Sequence, residues 1–491
     1  MATKHRHALK TVSFLLLLLL AGLVFVLASC AKPDEPQNEQ GGERQQTAEP
    51  TTSIDDVYPY PDHDFGGAEI KVLSRKDGYG GQDFEDICVE EMNGEVLNDA
   101  VYKRTMTVEE KYNVKIDIAY VADPVGTVTK NVKAGEDAHQ IVQEKLWYLQ
   151  QNLATQNYLT NLRKIGSITL EAPWYNQSII KDVAISKKVT VLGGDMTVSD
   201  KSGVGGVVFN KQMVLDYGLE DMYKMVREGR WTLDRLDELM KLTSKDLNGD
   251  GKMKLEDDQW GLLAEHLVNW MFLIGCGNRL ADLDSDGIPY ITAGSPKFLS
   301  DLDRILDILY DDQNRIFGPR IEDYTETFME NRAFMQVNAM STFFLLRGME
   351  TDFGIIPIPK LNEQQEEYIT DISPFVSRVI AIPISCQNPE TIGAVLDAMG
   401  RESTNTVVPA YFDNMLNNKI ARDEESIEML QLIFDTVVYD IGSVFNWGNL
   451  WIMHQQFMDG ARKSYVPFLE KNLPAVEKAM QKTIDEMQNI N

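Results

Sequence analysis

The sharpest chemical signal in the chain is Asp246-Leu247-Asn248-Gly249-Asp250-Gly251-Lys252-Met253-Lys254-Leu255-Glu256-Asp257. Side-chain oxygens at the first, third and fifth positions, then glycine at the sixth, match the spacing of a calcium-binding loop. In that reading Asp246, Asn248 and Asp250 supply side-chain oxygens, and Gly251 allows the sharp turn. Lys252 offers its carbonyl and Asp257 takes the twelfth position. A glutamate there binds through both oxygens; the shorter aspartate fits a looser, structural extracellular site. The expected cofactor is therefore structural calcium, and the alternative is a polar Asx turn without metal. Asp282-Leu283-Asp284-Ser285-Asp286-Gly287 looks similar but has Ala293 at its twelfth position. It reads instead as a hairpin turn into Pro289-Tyr290-Ile291.

Other chemistries find little support. The sequence holds no H-E-x-x-H, C-x-x-C, G-x-S-x-G or Walker A pattern. Beyond the N-terminal segment the histidines are His63, His139, His266 and His454, too scattered to indicate a histidine-based site. Among 75 acids a glycosidase pair is not excluded, since such a pair is defined by its separation in space. With 47 basic residues the formal net charge is −28, which argues against nucleic acid or anionic lipid as an electrostatic partner. The 491 residues suffice for two or three lobes with real cores.

The first residues read as a targeting segment. Lys4, Arg6 and Lys10 precede an apolar run from Phe14 to Ala28, the layout of a secretory signal. It ends in Leu27-Ala28-Ser29-Cys30, which resembles the bacterial lipobox, with Cys30 as the acylated first residue of the mature chain. An uncleaved anchor helix is the alternative, and either gives an extracytoplasmic, membrane-tethered protein. Residues 30–64 are rich in Pro, Glu, Gln, Thr and Asp and poor in hydrophobes, which predicts a flexible tether. Cys88, Cys276 and Cys386 remain, an odd number in apolar surroundings, and read as buried free thiols.

The elements that must position any site follow an α/β order. A strand at Glu69–Leu73, a helix containing Val96, Val101, Val108 and Tyr112, and an alternating strand Val114-Ile116-Ile118-Tyr120 open the fold. A helical stretch is expected over about 138–164, and short extended pieces at Val189–Leu192 and Gly206–Phe209. Thr232 is placed to cap a helix carrying Leu233, Leu236, Leu239 and Met240. A second amphipathic helix holds Leu299, Leu302, Ile305, Leu306 and Leu309. Strands return at Phe353–Pro357 and Val379–Ile384 before a helical C-terminal hundred residues. This order implies two lobes that the chain crosses more than once.

Several stretches, in order, carry a family resemblance. They are Asn93-Gly94-Glu95-Val96-Leu97-Asn98-Asp99-Ala100-Val101-Tyr102, Glu109-Glu110-Lys111-Tyr112-Asn113-Val114, Ala172-Pro173-Trp174-Tyr175-Asn176 and Leu192-Gly193-Gly194-Asp195. Then come Val208-Phe209-Asn210-Lys211, Gly229-Arg230-Trp231-Thr232, Asp258-Gln259-Trp260-Gly261, Tyr439-Asp440-Ile441-Gly442 and Phe445-Asn446-Trp447-Gly448. With the lipobox, residues 65–491 resemble the extracellular solute-binding lipoproteins of ABC sugar importers, in the long maltodextrin-binding-like variant of Gram-positive gut bacteria. The resemblance implies an α/β, two-lobed periplasmic-binding-protein-like fold with a multi-strand hinge and a ligand cleft between the lobes. It further implies hinge closure over ligand, docking on ABC permease subunits, and a monomer without enzymatic activity. The expected division is signal 1–29, tether 30–64, a first lobe of 65–195 plus about 380–430, and a helix-rich second lobe of about 205–375 plus about 435–491.

Sugars present C–H faces that stack on aromatic rings and hydroxyls that need polar partners. On that basis the candidate ligand residues are Trp174, Tyr175, Trp270, Asn446 and Trp447, in polar or Gly-rich contexts, although each ring also suits a core. Asp195 at the expected first hinge and Arg378 before the returning hinge strand are further candidates, equally suited to structural ion pairs. Tyr79 lies in a Gly-rich loop after the first strand, which the resemblance makes ligand-facing. One departure stands out: Asp137–Leu162 reads Gln/Asn-rich and helical where relatives show a short buried strand, which implies an altered first lobe and sugar preference. A carbohydrate, in particular an oligosaccharide, is the expected ligand. A peptide or other solute, or an extracellular polysaccharide-cleaving activity, is the alternative.

Overall fold

The computed structural model describes residues 57–58, 60–76, 85–265, 269–310, 314–318, 321–417, 420–459 and 464–490. Residues 1–59 separate from residues 60–491, and Val57 and Tyr58 are the described residues of that first unit. The signal segment 1–29, Cys30, tether residues 31–56 and Tyr79 lie outside the described residues. Among the described residues no helix is long and apolar enough to cross a membrane.

The first lobe is built on a four-stranded sheet of order β12-β3-β1-β2. β1 (Ala68–Arg75) pairs in parallel with β2 (Val114–Val121) and with β3 (Ile141–Lys145), and β12 (Arg378–Ala381) closes the edge antiparallel to β3. Helix α1 (Val96–Tyr112) connects β1 to β2. The Glu95 carboxylate accepts the Asn98 N–H at its start, and Asn113 in the left-handed region (φ 48°) ends it. The second lobe has a five-stranded sheet of order β10-β4-β9-β5-β8. β4 (Gly205–Asn210) and β9 (Ala333–Ala339) are buried along their whole length, as strands covered on both faces must be. β5 (Trp260–Glu265) runs parallel to β9 and to β8 (Arg315–Gly318), and β10 (Phe353–Ile356) antiparallel to β4. Helix α3 (Leu233–Thr243) lies so close on β5 that a Cβ on Gly261 would stand 2.4 Å from the Met240 Cα. Thr232 caps that helix as expected. Hairpin β6 (Ala281–Leu283) and β7 (Pro289–Ile291) forms around the Asp284 turn.

The expected helix over 138–164 is corrected. Its first part is β3, followed by the short helix α2 (Leu146–Asn152) and by turns. The expected loss of the buried strand, and with it an altered first lobe, is corrected too. The cause is a polar strand in a buried position. Gln143 Nε2 donates to Asp86 at 2.7 Å and its Oε1 accepts from Ser74 at 2.8 Å, while the buried Glu144 holds Arg75 at 2.6 Å. Each group is satisfied, so the strand tolerates burial without an apolar sequence.

Further helices complete the lobes: α4 (Asn269–Gly275), α5 (Pro296–Leu309), α6 (Pro389–Asn405), α7 (Val407–Asn417), α8 (Glu424–Asp435), α9 (Ile441–Phe445), α10 (Leu450–Asp459) and α11 (Tyr465–Gln488). α6 and α7 pack on α1 of the first lobe, and α8 packs on β10 of the second. Between the sheets three chain segments run side by side. Leu192 bridges to Ile380, Val204 bridges to Ile372, and β11 (Thr370–Asp371) pairs in parallel with β13 (Val437–Val438). That is the multi-strand hinge. Cys88, Cys276 and Cys386 are free, the first two buried.

Candidate functional site

A cavity of about 290 Å³ lies between the lobes. Helix α2 sets one wall. It starts directly after β3, so its first N–H groups need partners outside the helix. The crossing segment provides them: Leu146 N–H donates to the Ser377 carbonyl at 3.0 Å and Trp147 N–H to the Pro374 carbonyl at 3.2 Å. This fixes Trp147 and Tyr148, both half-buried, at the mouth of the first lobe. The Arg75 guanidinium, held by Glu144, sits 5.1 Å from the Tyr148 ring centre and steadies that ring.

Trp147 contacts Phe375 at 4.8 Å between ring centres, and Phe375 contacts Trp451 at 4.4 Å. A continuous aromatic surface thus runs from the first lobe, over the second crossing, to α10. Trp451 is placed by Asn446, whose side-chain oxygen accepts the Trp451 N–H at 3.0 Å. Trp270, from α4, closes the other side. Its ring meets His454 edge-on at 5.1 Å, and Asp371 lines the same cavity. Lys145, Asn338, Asp371 and Ser373 add polar groups to the lining. Flat apolar rings with a few polar groups between them suit a ligand with C–H faces and hydroxyl edges.

The sequence candidates divide. Trp270 lines the cleft. Arg378 is buried at the start of β12, in register with the cleft residue Lys145. Asn446 and Trp447 stand behind the cleft: Asn446 caps α10, and Trp447 stacks on Phe445 at 5.3 Å and donates to Thr483 at 3.0 Å. Trp174, Tyr175 and Asp195 are brought together elsewhere. Asp195 N–H donates to the Trp174 carbonyl at 2.9 Å, and Tyr175 bridges to Gly194. A Cβ on Gly194, at φ 138°, would lie 2.3 Å from the Trp174 carbonyl oxygen, so that approach requires glycine. Tyr175 and Asp195 line a second cavity of about 270 Å³ that includes Phe412 and Phe434. The Tyr175 hydroxyl donates to Asp397 at 2.9 Å, and Asp195 accepts from Thr404 at 2.7 Å. Sequence reasoning missed Trp147, Tyr148, Phe375, Trp451 and Asp371. The available signal was the Trp147-Tyr148 pair directly after a strand, hidden once that stretch was read as helix.

The 246–257 loop is a hydrogen-bonded turn. Asp246 accepts from Gly249 and Gly251 N–H at 2.6 and 2.8 Å, Asn248 from Asp250 at 2.8 Å, and Asp250 from Lys252 at 2.8 Å. Lys254 pairs with Asp250 at 2.8 Å and Asp257 at 3.5 Å. Among the described residues no group of three or more His, Cys, Asp or Glu side chains is arranged to hold a metal ion. The donor types fit calcium; the arrangement of the carboxylates satisfies backbone amides and Lys254 instead.

No family model matches the sequence, and no curated protein matches it. Solved structures do. The chain is similar to UspC of M. tuberculosis, with 13% identity over 84% of this chain and 100% of that one, at a TM-score of 0.56. It is similar to a sugar transporter from Rhizobium etli in an open conformation, with 14% identity over 87% and 100% of the two chains and a TM-score of 0.54. A cyclo/maltodextrin-binding protein complexed with maltotetraose matches at 12% identity over 86% and 97%, with a TM-score of 0.53. The chain therefore shares the two-lobed α/β fold of these structures, the fold that the sequence resemblance implied.

Three carboxyl groups near the crossings are buried. Burial pushes Asp371 up to about 7, helped by the neighbouring Asp440, and pushes Asp200 and Asp440 up to about 6. In the unfolded chain these groups ionise near pH 4, so between there and pH 7 the folded state binds more protons. Stability contributed by these groups is full below pH 4 and is lost as pH rises towards 7. Thermal melts across pH 4.5–8 are expected to show Tm falling over that window, and Asp371→Asn is expected to raise Tm at pH 7.5 and flatten the slope. A slope that Asp371→Asn leaves unchanged contradicts this assignment.

Proposed function

We propose that this protein captures a carbohydrate, an oligosaccharide, in the interlobe cleft and presents it to an ABC permease without chemically altering it. The observation that carries the reading is the aromatic surface Trp147–Phe375–Trp451, facing Trp270, on the hinge of a two-lobed fold. The rings come from both lobes and from the crossing, so closure of the lobes over a ligand on them would couple capture to the shape a permease would read. The protein acts as a monomer outside the cytoplasm, held by lipid on Cys30, and mass spectrometry of the mature N-terminus tests that anchor.

A thermal-shift screen of oligosaccharides and peptides tests the ligand class. Ligand at 100 times its Kd adds about 2.7 kcal/mol of stability. A shift with glycans is expected, and Trp147→Ala and Trp451→Ala are each expected to weaken glycan binding at least tenfold, about 1.4 kcal/mol. Shifts with peptides alone would replace the carbohydrate reading.

We also propose calcium as a structural ligand of the 246–257 loop, supported by its donor types and spacing. Binding would have to release Asp250 and Asp257 from Lys254. Calcium is expected to raise Tm, EDTA to reverse the rise, and Asp246→Asn with Asp250→Asn to abolish it. A Tm indifferent to calcium leaves the loop as an Asx turn.

A further inference from the structure

We propose that the ligand is an acidic oligosaccharide, one carrying a carboxylate or sulfate substituent, and that Lys145 is the residue that selects it. The inference rests on reading the cleft as a carbohydrate site. It is carried by where the first-lobe sheet ends. In a parallel sheet, ligands sit in the crevice outside the carboxyl ends of the strands. Here β1 ends in Arg75 and β3 ends in Lys145. β12 runs the other way and starts at Arg378, in register with Lys145. Three strands therefore bring three cations to one edge of the sheet, in a chain whose formal net charge is −28.

The three are not equivalent. Arg75 is committed: Glu144 takes its Nε–H at 2.8 and 2.7 Å and its Nη2 at 2.6 Å, and the Ala122 carbonyl takes Nη1 at 2.8 Å. Arg378 is buried and does not line the cavity. Lys145 is half-buried and does line it, beside Trp147 and Tyr148. A lysine has three donors, so it can meet a ligand oxygen while keeping a protein partner. The neighbouring acids are engaged. Glu144 holds Arg75 and also accepts the Lys145 N–H at 2.8 Å. Asp86 accepts from Gln143 at 2.7 Å and from the Ser199 N–H at 2.8 Å. Asp123, after β2, caps the helix Pro124–Ala134 by accepting the Gly126 N–H at 2.9 Å. The acid in the cavity lining is Asp371, nearly fully buried, and that burial pushes its carboxyl up to about 7. At neutral pH it carries only part of a negative charge.

A lysine ammonium is a compact point charge on a flexible stem. Its bond to an ionised group is roughly twice as strong as a bond between neutral groups, so it gains most from a full negative charge. The rings supply the rest of the site. Trp147 stacks on the C–H face of one sugar unit, while Lys145, two residues earlier at the junction of β3 and α2, meets the charged substituent at that unit's edge. A neutral sugar engages the rings alone. The rings thus give affinity for any pyranose, and Lys145 sets the preference among them.

The test is a glycan array on which oligosaccharides of matched length are offered to the protein in neutral, uronic-acid and sulfated forms. The best binders are then followed by titration calorimetry. Binding is expected to concentrate on the acidic forms, and the uronate and sulfate arms show which anion is read. Methyl esterification of the carboxylate, or removal of the sulfate, is expected to weaken binding at least tenfold. Lys145→Met, in protein shown folded by circular dichroism, is expected to erase that difference, and Lys145→Arg to retain it. A preference for neutral forms, or an ester bound as tightly as its acid, overturns the proposal and leaves the carbohydrate reading standing. So does a preference for the acid that survives in Lys145→Met. Binding to no glycan at all removes both. If Lys145→Met does not fold, the comparison of acid with ester on the wild type and on Lys145→Arg still decides.

Discussion

The cleft depends on where two backbone N–H groups find their acceptors. A helix that begins straight after a strand has no room for a capping residue in a separate loop, and Lys145 makes no side-chain cap. The carbonyls of Ser377 and Pro374 take the first N–H groups of α2. A crossing segment thereby becomes the cap of a first-lobe helix. The aromatic side chains on both partners, Trp147 and Phe375, are brought together as a result. The wall of the site and the hinge are one structure, and movement of the hinge must move the wall.

The same crowding explains why so many acids lie near the crossings. A segment passing between two lobes is covered on several sides, so its polar groups must find internal partners. Asp440, just before α9, does this by accepting the N–H groups of Leu280, Ala281 and Ser443, and Asp182 by accepting Tyr439 N–H at 3.1 Å and pairing with Arg279. Asp200 uses Lys201. Of the buried acids near the crossings, only Asp371 lines the cleft, so it belongs both to the hinge and to the site.

Much of the framework was legible because it follows simple periodicities. The alternation in β2, the apolar stripe of α3 and the Thr232 cap are local, and the structure keeps them. β3 was not legible, because Gln143 and Glu144 are buried through partners 57 to 69 residues away in sequence, Asp86, Ser74 and Arg75. No local pattern records such pairing. Misreading β3 as helix removed the strand end that marks Trp147 and Tyr148 as cleft residues.

The tryptophans show the limit of local reading most clearly. Trp231 donates to the Pro357 carbonyl, Trp260 to that of Lys254 and Trp447 to Thr483. These three and Trp270 are nearly fully buried. A polar or Gly-rich context marks a tryptophan whose indole has found a partner, and that is as true of a packed ring as of a ligand-facing one. What separates Trp270 from Trp447 is position: one lies beside the crossing at Asp371, the other behind it against α11. Since the crossings are defined by pairings between Val204 and Ile372 and between β11 and β13, far apart in sequence, the site belongs to the topology more than to any stretch of residues.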